Sequence, residues 1–272
     1  RKVCFISSKE YWKTGKTKRI LRDNIMTEQK IGCLFIVPTI MTRPEYEILN
    51  VEHLAKTFPN DRVLFISNVE DPDFSEYQPS QSNIEKYVSN KLYSISKAIN
   101  TGIDKIKDEK YICFIQSDIR VSYNVIDCCK QISDAPTLKA GVIGTTPHSN
   151  FNTFSKLLSN DIDGAGQKLY NVLWADGIMF WSTKVMDEIG TFNEEYFGDK
   201  ESQEYCYRVH DAGYNNYLFT ISKNMSYETR QLSFPAKTKY DSKEFMTIVN
   251  ETVDRFRQKW HPWETHQHYR FK

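Results

Sequence analysis

The sequence predicts an α/β fold, a single domain in which helices flank a mostly parallel central sheet. Three largely apolar runs of strand length carry this prediction, at Cys33–Pro38, Arg62–Ser67 and Tyr111–Ile115. Such runs are typical of strands that are covered on both faces, and helical patterns alternate with them along the chain. This alternation favours an open, Rossmann-like sheet whose ligands lie at the carboxyl ends of the strands.

The elements of the first half follow in order. A helix is predicted at Pro44–Thr57, a polar loop at residues 68–73 after the second strand, and a surface loop at residues 77–83. The next helix is predicted to end near Gly102. Its spacing is carried by Tyr87, Lys91, Ile95, Ala98, Ile99 and Ile103.

In the second half, glycines mark two helix ends. Gly190 closes a short helix at Thr183–Ile189, and Gly213 closes a longer one at Glu201–Ala212, because glycine is the usual residue past a helix end. Two strands and a last helix complete the pattern. They are predicted at Ala140–Gly144, Tyr217–Ile221 and about Ser242–Trp260.

The domain organisation is predicted from these elements. Residues 1–30 are rich in Lys and Arg, and we expect an added strand and a polar connector there. The main domain is predicted at residues 31–231, with one half at 31–121 and the other at 140–231. A C-terminal helix and tail, residues 232–272, are expected to pack on this domain.

Charge and hydropathy bear on two classes of partner. The formal charge of +1 comes from 36 basic and 35 acidic side chains mixed along the chain, so no broad basic field would drive the binding of a polyanion, and nucleic acid is neither indicated nor excluded. The longest apolar stretch, Cys33–Pro38, is too short to cross a bilayer, and we expect a cytoplasmic protein without a membrane span. The six cysteines form no Cys-x-x-Cys pair and are interpreted as reduced, packed thiols.

Asp118 is the first candidate functional residue. It follows the third predicted strand directly, so its carboxylate is expected at the sheet edge where an open α/β fold binds ligands. A carboxylate there suits a divalent cation that neutralises a leaving diphosphate. The alternative is structural, with Asp118 as the cap of a helix at Ser122–Gln131.

Several motifs in a fixed order resemble family 2 glycosyltransferases of the GT-A fold. The likeness covers about residues 31–231, and it lies in the order of moderate motifs rather than in a single diagnostic one. In the first half these are Val37-Pro38-Thr39, Arg43-Pro44-Glu45-Tyr46, the helix end at Asn100–Ile103, and Phe114–Val121. In the second half they are Asp176–Trp181, Val185–Asn193 and Phe197–Tyr214.

The resemblance implies a nucleotide-sugar donor, a UDP-sugar by default, bound with Mn²⁺ or Mg²⁺. Thr39 and Arg43 would touch the nucleotide, and the loop after the second strand would reach the base or ribose. The full set of implied donor-binding residues is Pro38, Thr39, Arg43, Asn68, Glu70, Asp71, Asn100, Gln116 and Ser117.

The implied metal site departs from the family pattern at two positions. The Asp-x-Asp motif maps onto Gln116-Ser117-Asp118, so a neutral amide replaces the first carboxylate and the metal ligand Asp118 remains. Where the family often adds a histidine ligand, this chain has Glu228, whose oxygens also suit Mg²⁺ or Mn²⁺. An exposed surface glutamate is the alternative for Glu228.

The acceptor side implied by the resemblance contains a base for an inverting transfer. The family's Glu-Asp pair aligns with Glu201-Ser202, so Glu201 is the first candidate base and Asp199 the second. Both could instead be ordinary charges at a helix N-terminus. Trp174, Asp176 and Gly177 are the implied acceptor-binding residues, while Arg208 is predicted to pair with Glu204 one helical turn away.

The sequence thus predicts an inverting, metal-dependent hexosyl- or pentosyltransferase that acts on an acceptor hydroxyl, of a glycan by expectation. A modified nucleic-acid base stays open as an acceptor. Two alternatives belong to other classes: a degenerate GT-A domain that binds carbohydrate or a partner without catalysis, and a nucleotidyltransferase. The latter typically carries a Gly-rich loop after its first strand, and residues 37–43 contain no glycine.

Overall fold

The computed structural model describes residues 32–39, 43–91, 94–146, 156–159, 167–175, 177–196, 200–221, 225, 227–229 and 243–265. The predicted N-terminal extension at residues 1–30 lies outside this part. The strands are β1 Cys33–Thr39, β2 Arg62–Ser67, β3 Ile84–Val88, β4 Tyr111–Phe114, β5 Ile119–Val121, β6 Ala140–Thr146, β7 Lys156–Ser159, β8 Leu169–Val172, β9 Met179–Ser182, β10 Asn215–Thr220 and β11 Tyr227–Thr229. The helices are α1 Pro44–Thr57, α2 Pro72–Glu76, α3 Ile95–Ile103, α4 Tyr123–Asp134, α5 Thr183–Ile189, α6 Lys200–Asp211 and α7 Lys243–Thr265.

Nine of the described strands form one sheet, in the order β3-β2-β1-β4-β9-β6-β10-β8-β7. Strands β3, β2, β1 and β4 are parallel to one another, β9 runs against β4 and β6, and β6 and β10 are again parallel. The prediction of a mostly parallel α/β sheet is therefore confirmed. A separate pair, β5 and β11, is antiparallel.

The central strands are buried on both faces, as their continuous apolar sequence predicts. Along β1, Phe35 and Val37 enter one hydrophobic cluster, whereas Leu34 and Ile36 enter the cluster on the opposite face. Every residue of β1 is buried. Successive strand side chains point to opposite faces, so a strand with helices on both sides must be apolar throughout.

Local sequence signals placed several elements at their observed bounds. The helix at Pro44–Thr57 and the strand at Arg62–Ser67 match the prediction, as does the helix at Thr183–Ile189. Gly190 and Gly213 follow their helices with φ of 85° and 87°, a left-handed conformation that costs glycine nothing.

The predicted helix through Tyr87 and Lys91 is wrong in its first half. Residues 84–88 form strand β3, parallel to β2 with Val63 opposite Ile84, and the helix begins only at Ile95. The apolar spacing of this segment fits both periods. Pairing with the free edge of β2 decides between them, and a single stretch of sequence does not contain that information.

Five cysteines are confirmed as buried, unbridged thiols: Cys33, Cys113, Cys128, Cys129 and Cys206. Burial in the core raises the pKa of the Cys129 thiol well above its ordinary value, and the neighbouring thiols add to this effect. Thiols of this kind act as small hydrophobic side chains. Cys4 lies outside the described residues.

The C-terminal helix α7 packs on α6. Phe256 and Trp260 are buried against Tyr207, with ring centroids 5.6 and 5.4 Å from it. The helix extends to Thr265, five residues beyond the predicted end at Trp260. None of the described helices combines the length and the apolar character that a bilayer crossing requires.

Candidate functional site

A cleft opens at the carboxyl end of β4. This is the edge where an open α/β sheet binds its ligands. Its walls come from α3, β4, the start of β9 and the first turn of α6. The lining residues are Ile95, Ile99, Phe114, Gln116, Ala175, Gly177, Met179, Phe192, Glu201 and Ser202.

The cleft brings together three residues that the sequence assigned to three different roles. Gln116 was predicted to bind the donor, Gly177 the acceptor, and Glu201 was predicted to be the base. They are separated by 61 and 24 positions in the chain, and only the order of the strands makes them neighbours. Gln116, Glu201 and Ser202 are the lining residues with polar side chains.

Glu201 lies in the first turn of α6. Only 4% of its surface is exposed, and it still contributes to the cleft wall. The positive end of the helix dipole favours a carboxylate at this position. Ser202, which the sequence resemblance aligns with an aspartate of family 2 glycosyltransferases, also lines the cleft.

Asp118 lies in a turn between β4 and β5, at the same edge of the sheet. The helix-cap alternative is wrong, because α4 begins after Ser122 and strand β5 separates it from Asp118. Asp118 therefore occupies a position at which the fold requires no helix cap.

The β5–β11 pair brings a second carboxylate residue towards this turn. Glu228 stands opposite Arg120 in the antiparallel register, and Arg120 is two residues after Asp118 in the chain. The side chain of Glu228 is outside the described part, and among the described side chains no group of three or more His, Cys, Asp or Glu residues comes together. The carboxylate oxygens of Asp118 and Glu228 are ligand atoms of the type that Mg²⁺ and Mn²⁺ take, together with oxygens of a bound phosphate.

Glu47 of α1 joins the end of β1 to this turn, and it is not among the site residues predicted from the sequence. Its carboxylate accepts the hydroxyl of Thr39, the backbone N–H of Arg43 at 3.0 Å and the hydroxyl of Ser117 at 2.9 Å. Glu47 is 1% exposed. Its sequence signal is weak, a charged residue on a helix whose buried face is otherwise largely apolar.

Asn50, one turn further along α1, holds the other side of the same turn. Its amide donates to the carbonyl of Ser117 at 2.8 Å, and its oxygen accepts from the guanidinium of Arg120. Helical residues three apart lie on one face, so Glu47 and Asn50 act on the turn together. Asn50, too, is not among the site residues predicted from the sequence.

The loop after β2 contains three predicted donor-binding residues in different settings. Asn68 is buried, with its backbone N–H bonded to the Thr39 carbonyl at 3.0 Å and its side-chain oxygen to Ser89 at 2.7 Å. Asp71 caps α2 by accepting the Asp73 N–H, and Glu70 is exposed. Their contacts with a donor stay a prediction.

Asn100, another predicted donor-binding residue, is bonded to the protein itself. Its oxygen accepts the Phe192 N–H at 2.9 Å, and its amide donates to the Phe192 carbonyl at 2.9 Å and to Glu194 at 3.1 Å. This side chain therefore ties α3 to the segment that carries Phe192, and both line the cleft.

Glu194, which accepts a hydrogen bond from Asn100, also forms ion pairs with two lysines. Lys91 and Lys97 approach its carboxylate at 3.3 and 3.7 Å. Burial alone would raise the pKa of the Glu194 carboxyl, but hydrogen bonds from Asn100 and Lys91 and the charge of Lys97 outweigh burial and lower that pKa.

Of the remaining residues predicted to bind the acceptor or to act as the base, the structure describes Trp174 and Gly177. Trp174 is partly buried and packs edge-on against Tyr207, with ring centroids 6.4 Å apart. Gly177 has φ of 83° and bridges to Thr145 of β6, so its backbone needs the freedom of glycine. Asp176 and Asp199 lie outside the described residues.

The predicted pair of Arg208 and Glu204 is confirmed. Both carboxylate oxygens of Glu204 lie 3.0 Å from the Arg208 Nε, and Glu204 is 1% exposed. The same guanidinium donates to the carbonyls of Ile189 and Thr191, at 2.9 and 2.8 Å. Arg208 thus fixes the segment leading to Phe192 and the cleft.

Comparison with solved structures finds glycosyltransferases of the GT-A fold. GalNAc-T7 with UDP, GalNAc and Mn²⁺ superposes with a TM-score of 0.58 and 11% identity, over 85% of this chain and 50% of that one. TarS 1–349 of S. aureus with UDP-GlcNAc gives 0.51 and 14%, over 87% and 76%. The mannosyltransferase PcManGT from Pyrobaculum calidifontis with GDP-Man and Mn²⁺ gives 0.52 and 10%, over 79% and 64%.

The chain therefore has the GT-A glycosyltransferase fold. No family model and no curated protein matches the sequence. At 10–14% identity the likeness is one of architecture, and the chain spans about half the length of GalNAc-T7.

Proposed function

We propose that the protein is an inverting, divalent-metal-dependent glycosyltransferase that moves a sugar from a nucleotide-sugar to an acceptor hydroxyl. The observation that carries the proposal is the shared cleft of Gln116, Gly177 and Glu201 at the ligand-binding edge of a GT-A sheet. The structures of similar fold contain UDP, UDP-GlcNAc or GDP-Man, which supports a nucleoside-diphosphate sugar as the donor class. A UDP-sugar is our first choice.

The donor half of the site would use the carboxyl ends of β1, β2 and β4. Thr39 and Arg43 would face the nucleotide, and the loop containing Asn68 and Glu70 would reach its base or ribose. Asp118, with Glu228 as a second candidate, would hold Mn²⁺ or Mg²⁺ against the diphosphate. When bound, this cation neutralises the negative charge that develops on the leaving group.

The acceptor half would position a hydroxyl beside Glu201. The hydroxyl oxygen bonds to the anomeric carbon of the donor sugar as the bond from that carbon to the diphosphate oxygen breaks on the opposite face. Glu201 takes the hydroxyl proton, and Asp199 is the second candidate for this step. Attack opposite the leaving group inverts the anomeric configuration. Trp174, Asp176 and Gly177 would bind the acceptor, a glycan by our proposal.

A second candidate is a GT-A domain that binds carbohydrate without transfer. It is favoured by the presence of both substituted motif residues, Gln116 and Ser202, in the cleft wall. An amide and a hydroxyl stand there in place of two carboxylates of the family pattern, which leaves Glu201 as the carboxylate among the described lining residues.

A screen of nucleotide-sugars separates these candidates. We expect one UDP-sugar to raise the melting temperature when Mn²⁺ is present, and that same compound to be hydrolysed or transferred. Binding without turnover would favour the binding domain. If no nucleotide-sugar binds with or without metal, the glycosyltransferase proposal is wrong.

Two substitutions then divide the site by role. Glu201→Gln should lower kcat by about 10²- to 10⁴-fold, the usual contribution of a general base, and leave donor affinity unchanged. Exposed Glu195, changed to glutamine, is the matched control and should retain full activity. Full activity of Glu201→Gln would move the base elsewhere.

Asp118→Asn should remove the Mn²⁺ dependence of donor binding, measured as the ratio of UDP affinities with Mn²⁺ and with EDTA. Its control is Asp104→Asn, an exposed aspartate past the end of α3. An unchanged ratio in Asp118→Asn would remove Asp118 from the metal site.

A further inference from the structure

Glu47 is a buried carboxylate that accepts hydrogen bonds from Thr39, Arg43 and Ser117, at the edge of the sheet where the nucleotide-sugar is proposed to bind. Carboxylates are seldom fully buried unless their oxygens are satisfied. Here 1% of Glu47 is exposed, and it accepts from two hydroxyls and one backbone N–H. These donors belong to two segments that are far apart in sequence.

The first segment is the connection from β1 to α1. Thr39 ends β1 and Arg43 precedes α1, so Glu47 holds both ends of this connection. The second segment is the turn after β4. Ser117 bonds to the same oxygen of Glu47 as Thr39 does, and Ser117 immediately precedes Asp118. One carboxylate thus sets the distance between the two segments.

Asn50 makes the attachment of the turn two-sided. Its amide donates to the Ser117 carbonyl, whereas Glu47 accepts from the Ser117 hydroxyl, and the Asn50 oxygen also accepts from Arg120 beyond Asp118. The turn is therefore held before and after Asp118 by side chains of one helix face. α1 itself packs into the hydrophobic core through Val51, Leu54 and Ala55.

We infer that Glu47 is a positioning residue that fixes the nucleotide-binding connection and the diphosphate-binding turn relative to each other. This inference rests on the proposed function, since those two segments are its donor-binding elements. Glu47 acts through Thr39 and Ser117 rather than on the substrate. Partners of ligand residues commonly change affinity by about 10- to 100-fold when they are altered.

The informative substitution is Glu47→Gln, which keeps the shape of the side chain. Glutamine presents an N–H₂ donor where Glu47 has an accepting oxygen, so it cannot receive all three donors. We expect the Kd for UDP with saturating Mn²⁺, measured by calorimetry, to rise about 10- to 100-fold. The Mn²⁺ concentration for half-saturation at fixed UDP should rise as well.

Glu45→Gln is the matched control. Glu45 lies in the same first turn of α1 and is exposed, so this change removes the same charge from the helix N-terminus without touching the network. Its Kd for UDP should stay within about twofold of wild type. A wild-type Kd in folded Glu47→Gln would overturn the inference, even if its melting temperature falls.

Single-bond variants keep the test informative if Glu47→Gln does not fold. Ser117→Ala and Thr39→Val each remove one hydroxyl donor to Glu47. Because both act through one carboxylate, their effects on the Kd for UDP should be non-additive when combined. Strict additivity would mean that the two segments are not coupled through Glu47.

Hydrogen exchange separates this inference from the proposed function. In Glu47→Gln, amides in residues 43–47 and 115–122 should both exchange faster than in Glu45→Gln, in the absence of any ligand. Unchanged exchange in either segment overturns the inference. Failure of the wild-type protein to bind any nucleotide would instead overturn the proposed function. The exchange measurement, made without ligand, would still report whether Glu47 couples the two segments.

Discussion

Replacing Asn100 with alanine tests whether this side chain binds the donor, as the sequence predicts, or joins two walls of the cleft. In the structure Asn100 exchanges two hydrogen bonds of 2.9 Å with the backbone of Phe192 and donates a third to Glu194. Its exposed fraction is 8%, and that of Phe192 is 3%. We expect Asn100→Ala to destabilise the fold and to leave donor affinity unchanged in the folded protein.

The magnitude follows from the groups left behind. Alanine leaves the N–H and the C=O of Phe192 buried without these partners, at about 1–3 kcal/mol for each group. The free energy of unfolding should therefore fall by about 2–6 kcal/mol. At about 2–4 °C per kcal/mol for a large domain, the melting temperature should fall by roughly 4–24 °C.

Thermal unfolding and UDP calorimetry on the same preparation decide the matter. The control is Thr101→Ala on the same helix, whose hydroxyl bonds only one turn back to the Lys97 carbonyl. It should cost less than about 1 kcal/mol. If Asn100→Ala has the melting temperature of the wild type and binds UDP ten times more weakly, the structural role is wrong and Asn100 contacts the nucleotide-sugar.

Three further substitutions test the packing around the site. Gly102→Ala places a Cβ 2.7 Å from Ile36 Cδ1, so urea unfolding should show a loss of about 1–3 kcal/mol that Ile36→Val partly restores; a neutral change would mean that α3 shifts freely on β1. Glu194→Gln should lower the free energy of unfolding at pH 7. Because the folded pKa of Glu194 lies below its ordinary 4.5, that loss is complete above pH 4.5 and vanishes as the pH falls through the folded pKa; a difference independent of pH would contradict the ion pairs. Arg208→Lys should lower the free energy of unfolding, measured by chemical denaturation, by about 1–3 kcal/mol, because an ammonium cannot reach Glu204 and the two carbonyls together. Wild-type stability of this variant would contradict the joint role of these three contacts.

The sequence was informative wherever a signal is local. The continuous apolar run of β1 specified a strand buried on both faces, and glycines after α5 and α6 marked the ends of those helices. Strand β3 was missed because its side-chain spacing fits a helix equally well. Its pairing with β2 involves residues about 21 positions away, which no local window contains.

For the candidate site, the sequence determined the chemistry of individual residues, and Asp118 at the end of a buried strand and Glu201 at the start of a helix are both visible in it. Their partners are decided by tertiary structure. Glu47 meets Ser117 across 70 residues, and Asn100 meets Phe192 across 92. Hydrogen bonds between distant segments depend on the order of strands in the sheet, and that order is set by the packing of the whole domain rather than by any stretch of sequence.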